Sequence, residues 1–197
     1  SLNTMEFVTI ATTANSIDFG DTSFAGAEGA GCSNDVRGLM FGGYNYTSSS
    51  NLNNIDFITI ASLGNGSDFG DILQARRSLS SCASPTRGLL AGGYAQPDTT
   101  TYTNAIEFIT IASAGNAQDF GDLTRRAWGM ASCSSSTRGT CSGGMIPTNL
   151  NTIDFVTIAT AGNTLDFGDM TLISGRGGAT SNATRGVIFH GHNTSTY

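Results

Sequence analysis

The chain has no lysine, and its nine arginines face fifteen carboxylates, for a formal charge of −6 over 197 residues. Phosphate neutralisation supplies most of the affinity for nucleic acid, so a chain without a basic run is not expected to grip it. No apolar stretch approaches membrane-spanning length, and no membrane insertion is expected. Helical periodicity is missing, and no segment combines good helix formers with caps. No secretory signal opens the chain, and Ser1 in place of Met is what a processed product or an excised fragment would show. Ser, His and Asp all occur, but without a nucleophile elbow or triad context. A non-enzymatic protein without a cofactor is the expectation.

What the chain does have is abundant glycine, 26 residues, with much Ser, Thr and Asn and only three prolines, a composition suited to short strands and tight turns. It also says the same thing four times. Arginine followed by glycine recurs at 37, 87, 138 and 185, and Asp-Phe-Gly-Asp keeps step at 18 to 21, 68 to 71, 119 to 122 and 166 to 169. An apolar run beginning at Met5, Ile55, Ile106 and Ile153 follows the same rhythm. A period near 50 marks a propeller blade or a solenoid repeat.

The second and third copies serve as the template. Residues 78 to 84 and 87 to 94 read as two short strands, 104 to 113 as a longer third, and 118 to 123 as a fourth after a Gly/Asn turn. In the third strand Ile106, Phe108, Thr110 and Ala112 share one face while Glu107, Ile109 and Ile111 share the other. Both faces are apolar, as in a sheet packed between two others. Residues 4 to 21 supply only the third and fourth strands of a unit, and 174 to 192 only the first and second. The expectation is a single all-β domain over 1–197, a four-bladed propeller whose ring closes by pairing its two ends, since an open array would leave both with unpaired edges. The blades fall approximately at 28–71, 78–122, 128–169, and 174–192 plus 4–21.

This order resembles the kelch repeat: Arg77 or Arg126 before the first strand, Gly42-Gly43, Gly92-Gly93 and Gly143-Gly144 closing the second, and Phe19, Phe69, Phe120 and Phe167 near the start of the fourth, where the family usually has Trp. The fourth copy departs, with His190-Gly191 at the glycine pair. The wording around Asp-Phe-Gly-Asp and Thr-Arg-Gly is similar to kelch-like repeats of marine tailed bacteriophages, cyanophages among them. That resemblance implies a virion or tail-associated protein rather than an enzyme. Its partners would be other virion proteins or a host-surface glycan or protein, with a homo-oligomer left open. The same resemblance implies localisation to the virion, made in the bacterial host cytoplasm, with an extracellular protein as the alternative.

Several motifs have two readings. Asp-Phe-Gly is also the magnesium motif of protein kinases, but the companion Gly-rich loop, strand Lys and catalytic loop are missing. Its expected role is structural, with each Phe packed between blades and the Asp residues serving turns; calcium binding would need the Asp pairs to converge. The arginines Arg37, Arg87, Arg138 and Arg185 accompany Glu6, Asp56, Glu107 and Asp154, which suggests ion pairs locking strand to strand, or alternatively a ring of arginines around an anion. His190 and His192 lie two apart on one strand face, which is metal-ligand spacing, and the kelch resemblance extends to a copper oxidase whose site uses two His and two Tyr; with no third ligand to nominate, a surface pair on a terminal strand is the expectation and a metal-dependent kelch-type enzyme the alternative. Cys32, Cys82 and Cys133 read as small buried fillers, with a Cys133–Cys141 disulfide across a hairpin as an alternative.

Function should lie where the copies disagree. One end of the array collects short, nearly identical turns such as 62 to 67 and 113 to 118. The other collects loops of varied length that hold Tyr44, Tyr46, Arg76, Arg77, Tyr94, Tyr102, Arg125, Arg126, Trp128 and Arg176. Aromatics and arginines on variable loops over a rigid scaffold make a binding surface. The alternative is that several of them simply close the ends of the core.

Overall fold

The computed structural model describes residues 2–95 and 101–193. Among these residues the structure is all β, with no helix, and every strand pairing is antiparallel. Three sheets carry the repeats. The first is β3 (Ala30–Ser33), β4 (Arg37–Asn45), β5 (Ser50–Thr59) and β6 (Ser67–Asp71). The second is β8 (Ser80–Ala83), β9 (Arg87–Ala91), β12 (Ala105–Thr110) and β13 (Gln118–Asp122). The third is β14 (Ala131–Ser134), β15 (Arg138–Ser142), β17 (Thr148–Thr157) and β18 (Leu165–Ser174), with the short β16 (Met145–Ile146) added to β17. Two hairpins flank them, β1 (Leu2–Phe7) with β2 (Ile17–Gly26), and β19 (Gly178–Ser181) with β20 (Gly186–Phe189). Among the described residues no pairing joins β1 to β20, and the two hairpins are separate two-stranded sheets.

The sheets pack face to face, which is why both faces of their strands are apolar. Leu39, Phe41, Ile55 and Phe69 of the first sheet bury against Leu79, Leu90, Ile109 and Ile111 of the second. The opposite face of the second sheet, Leu89, Ile106 and Phe120, buries against Met130, Val156 and Ile158 of the third.

Asp-Phe-Gly-Asp is a β-bulge. Ile55 pairs with Gly70 and Asp56 with Asp68, so Phe69 is the extra residue, and the same shift occurs at Ile106/Glu107 and Ile153/Asp154. Gly70 sits at φ +144°, and a Cβ there would lie 2.6 Å from the backbone of Gly115 in the next sheet, so glycine is required twice over. Asp68 accepts from the Gly70 amide at 3.1 Å within this bulge rather than serving a turn. The expected packing of the phenylalanines holds for three copies: Phe19, Phe69 and Phe120 are 7%, 3% and 2% exposed, whereas Phe167 is 54% exposed, because no following unit covers it.

The repeated turns clamp one unit to the next. The amides of Gly64, Gly115 and Gly162 donate to the carbonyls of Phe19, Phe69 and Phe120, while Asn65, Asn116 and Asn163 accept from the amides of Asp21, Asp71 and Asp122. Their sequences agree because each makes the same contact. The glycine after three of the four repeat arginines has a similar reason: a Cβ on Gly88, Gly139 or Gly186 would meet the thiol of Cys32, Cys82 or Cys133 in the preceding unit. All four cysteines are free, with Cys82 and Cys141 buried and Cys32 and Cys133 half-buried, so no Cys133–Cys141 disulfide forms.

Candidate functional site

Strand register decides what the repeat arginines can touch. Arg87 pairs with Thr110, and Glu107 pairs with Leu90, so arginine and carboxylate project from opposite faces of one sheet. The expected ion pairs are therefore not made. Arg37, Arg87 and Arg138 instead lie over Phe57, Phe108 and Phe155 at 4.7, 4.6 and 4.6 Å. Arg37 donates to the Ile111 carbonyl at 2.7 Å, and Arg87 to the Ile158 and Ala159 carbonyls at 3.1 and 2.9 Å, in each case reaching the next sheet. Of the arginines in the anion-ring alternative, Arg37 and Arg87 give their Nη1 donors to these carbonyls, while Arg138 and Arg185 are exposed. Arg185 lies just before β20, where no phenylalanine partner strand is present among the described pairings.

The carboxylates face the other way, onto the strand leaving the preceding unit. Asp56 accepts from the Ser23 amide and hydroxyl, both at 2.6 Å, and Asp154 from Thr124 Oγ1 at 2.8 Å and from Arg125 at 3.4 Å. Glu107 accepts from the Leu73 amide and lies 2.9 Å from Arg76, which is fully buried. Burial pushes the Glu107 carboxyl up and pulls the Arg76 guanidinium down, each against the attraction of the other. Glu6 has no such predecessor and accepts from Ser16 in its own hairpin.

Arg76 and Arg125 are thereby removed from the variable-loop surface and bind unit to unit. Arg126 is exposed and separate from the aromatic group. The remaining predicted residues come together. A small sheet of β7 (Arg76–Arg77), β10 (Tyr94–Ala95) and β11 (Thr101–Tyr102) sets Arg77 opposite Tyr94 and Tyr94 opposite Tyr102. From it a ladder of stacked side chains crosses the units. Tyr46 meets Tyr44 edge-on at 4.9 Å, and Arg77 lies over Tyr44 at 4.2 Å and over Tyr94 at 5.4 Å. Tyr94 meets Trp128 at 5.2 Å, Tyr102 stacks parallel to Trp128 at 6.4 Å, and Arg176 lies over Trp128 at 4.7 Å.

The residue that organises this face was not singled out by sequence reasoning. Glu28 accepts from Tyr46 Oη and Ser78 Oγ, both at 2.7 Å, and lies 3.6 Å from Arg77. Partial burial raises its carboxyl, but those hydrogen bonds and the charges of Arg77 and Arg176 outweigh it and hold Glu28 below the usual carboxylate range. Glu28, Ser78, Gly129 and Arg176 occupy equivalent positions, all left-handed at φ 58, 51, 63 and 57°. Their backbones form a chain: Ser78 N–H donates to Glu28 O, Gly129 N–H to Ser78 O, and Arg176 N–H to Gly129 O. A glycine in one of four aligned copies was the available signal.

No family model and no curated protein matches this chain. Its site is therefore read from geometry alone. His190 lies outside the described strands, and His192 bridges Gly175 through its backbone. Among the described residues no group of three or more His, Cys, Asp or Glu gathers to hold a metal.

Proposed function

We propose that the chain is a four-bladed, kelch-like β-propeller, closed by pairing of its N- and C-terminal half-blades, that works as a non-enzymatic binding module of a phage virion and presents its variable-loop face to a host-surface glycan or protein. The observation that carries the binding reading is the Tyr44–Arg77–Tyr94–Trp128–Arg176 ladder, in which variable residues from separate repeats converge on one surface.

Closure is supported by contacts made in every internal copy and left incomplete at the ends. In the repeat register, Val187 would oppose Phe7 as Leu39 opposes Phe57, and Asp169 N–H would meet Asn15 as Asp122 N–H meets Asn163. Closure would also cover Phe167. One depression is lined by residues of the first strand of all four units, Cys32, Cys82, Cys133 and Thr180 among them, which supports a common axis. A second reading, a subunit docking on other virion proteins, is favoured by apolar side chains exposed on the outer strands of the end units, such as Ile17, Leu165 and Leu172.

The test is attachment of labelled protein to cells of the kind such phages infect. Trp128→Ala and Tyr102→Ala should abolish it, each losing about 2 kcal/mol or more. Leu63→Ala and Val36→Ala, exposed away from this face, should not. Equal attachment by both sets, at matched melting temperature, refutes the assignment of the face.

A further inference from the structure

We propose that the variable-loop face is a receptor site for an acidic polysaccharide, with the carboxylate or sulfate of a sugar held by the outward edges of the Arg176 and Arg77 guanidiniums where these stack on Trp128, Tyr94 and Tyr44. The proposal rests on the reading of this face as a binding surface and names its ligand class.

A guanidinium whose Cζ lies over an aromatic ring has its ring side covered, which leaves its outward N–H groups for a planar or tetrahedral oxyanion. Arg77 spends part of this capacity on Glu28. Arg176 does not: among the described residues it forms no ion pair, its side chain stacks on Trp128, and it is exposed. Arg176 is also held left-handed, a conformation that costs a non-glycine residue stability and that Gly129 occupies without penalty in the copy before. At the equivalent position Glu28 has three internal partners for its side chain, whereas Arg176 has one ring. A strained residue with an unspent charge at a cluster of aromatics points outward to a ligand.

Charge distribution selects an anionic polymer. Asp18, Asp21, Asp68, Asp71, Asp119, Asp122, Asp166 and Asp169 all lie on the fourth strands of the units, and the whole chain carries −6. The variable loops hold two carboxylates in sequence, Glu28 and Asp98, against exposed Arg126 and Arg176 and half-exposed Arg77 among the described residues. The acidic body repels an anionic chain and the face attracts it, which orients the approach. A saccharide is favoured over a phosphorylated peptide because hydroxyls lie in and next to the ladder: Tyr102 Oη accepts from Tyr94 and keeps its own proton to donate, and Thr101 precedes it in β11.

The test is equilibrium binding of the full chain to polygalacturonate, dextran sulfate and neutral dextran, with cell attachment measured alongside. One or both acidic polymers should bind, neutral dextran should not, and affinity should fall as salt rises. Arg176→Gln should weaken binding about tenfold, the loss of one charge-assisted contact. Arg126→Gln reports whether a neighbouring charge acts merely through the field. Binding of neutral dextran as strong as that of the acidic polymers, failure of both acidic polymers to bind, or affinity unchanged by Arg176→Gln overturns the proposal. Cell attachment lost in Trp128→Ala but kept in Arg176→Gln overturns it too, while leaving the binding face standing and pointing to a protein or neutral receptor. Arg176-dependent polymer binding without any cell attachment upholds the site and removes the host-recognition role.

Discussion

Replacing Gly70 by alanine tests the contact on which the stacking of units rests. The new methyl would sit 2.6 Å from the carbonyl group of Gly115, a backbone atom that cannot swing away as a side-chain tip could, and the residue would be held at φ +144°. The backbone conformation alone costs about 1–3 kcal/mol, and the clash adds about 1–3 kcal/mol more. Gly64→Ala is the matched control, since Gly64 has φ +152° with nothing within 4 Å of the added Cβ. It carries the conformational cost without the clash. The two variants should therefore differ by about 2 kcal/mol, which in a domain of this size separates their melting temperatures by about 4–8 °C. Thermal unfolding followed by circular dichroism reads this directly. Melting temperatures within about 2 °C of each other would show that adjacent sheets do not meet at this glycine.

Further expectations follow from the same geometry. Gly139→Ala should destabilise by about 1–3 kcal/mol, because its Cβ would lie 2.6 Å from the Cys82 thiol, and adding Cys82→Ala should recover part of the loss in a chemical-denaturation cycle. Arg76→Ala leaves Glu107 buried without its counter-charge and should cost about 3–5 kcal/mol, whereas Arg87→Ala removes hydrogen bonds to two carbonyls and one ring contact and should cost less in the same denaturation assay. Because Glu28 is held below its ordinary value, its contribution is present above the usual carboxylate range and is lost as pH falls through its folded value; Glu28→Gln should flatten the acid limb of the melting-temperature profile. Burial pushes the Cys32 thiol up to about 12, so iodoacetamide at pH 8 should label the native chain far more slowly than the unfolded one.

The repeat made most of the fold legible. Residues 80 to 83, 87 to 91, 105 to 110 and 118 to 122 are strands where the alternation places them, and the apolar character of both strand faces anticipated sheets stacked on sheets. The convergence of Tyr44, Arg77, Tyr94, Tyr102, Trp128 and Arg176 followed from counting which loops share an end. Partner choice was less legible. The pairing of Arg87 with Glu107 fails on strand parity, which the alternation of Ile106, Phe108 and Thr110 already contained, since Phe108 shares the arginine's face and Glu107 does not. Arg76, Arg77, Arg125 and Arg126 form two adjacent pairs in sequence, and only their partners separate Arg76 and Arg125, paired with Glu107 and Asp154, from Arg77 in the aromatic ladder and exposed Arg126. The left-handed position shared by Glu28, Ser78 and Arg176 leaves almost no trace in composition, because it is set by backbone bonds running from unit to unit.

The central claim, that the two terminal half-blades complete a ring, is tested most directly by amide hydrogen exchange read residue by residue along β1 and β20. In β1 alternate amides face β2, and in β20 they face β19; the intervening ones point to the edge. Closure predicts that the edge-facing amides in residues 4 to 9 and 185 to 189 are protected as well as their neighbours, at a level independent of protein concentration. Edge-facing amides that exchange at unfolded rates, or that gain protection only as concentration rises, would contradict the closed ring, and the second result would assign the same edges to pairing between copies.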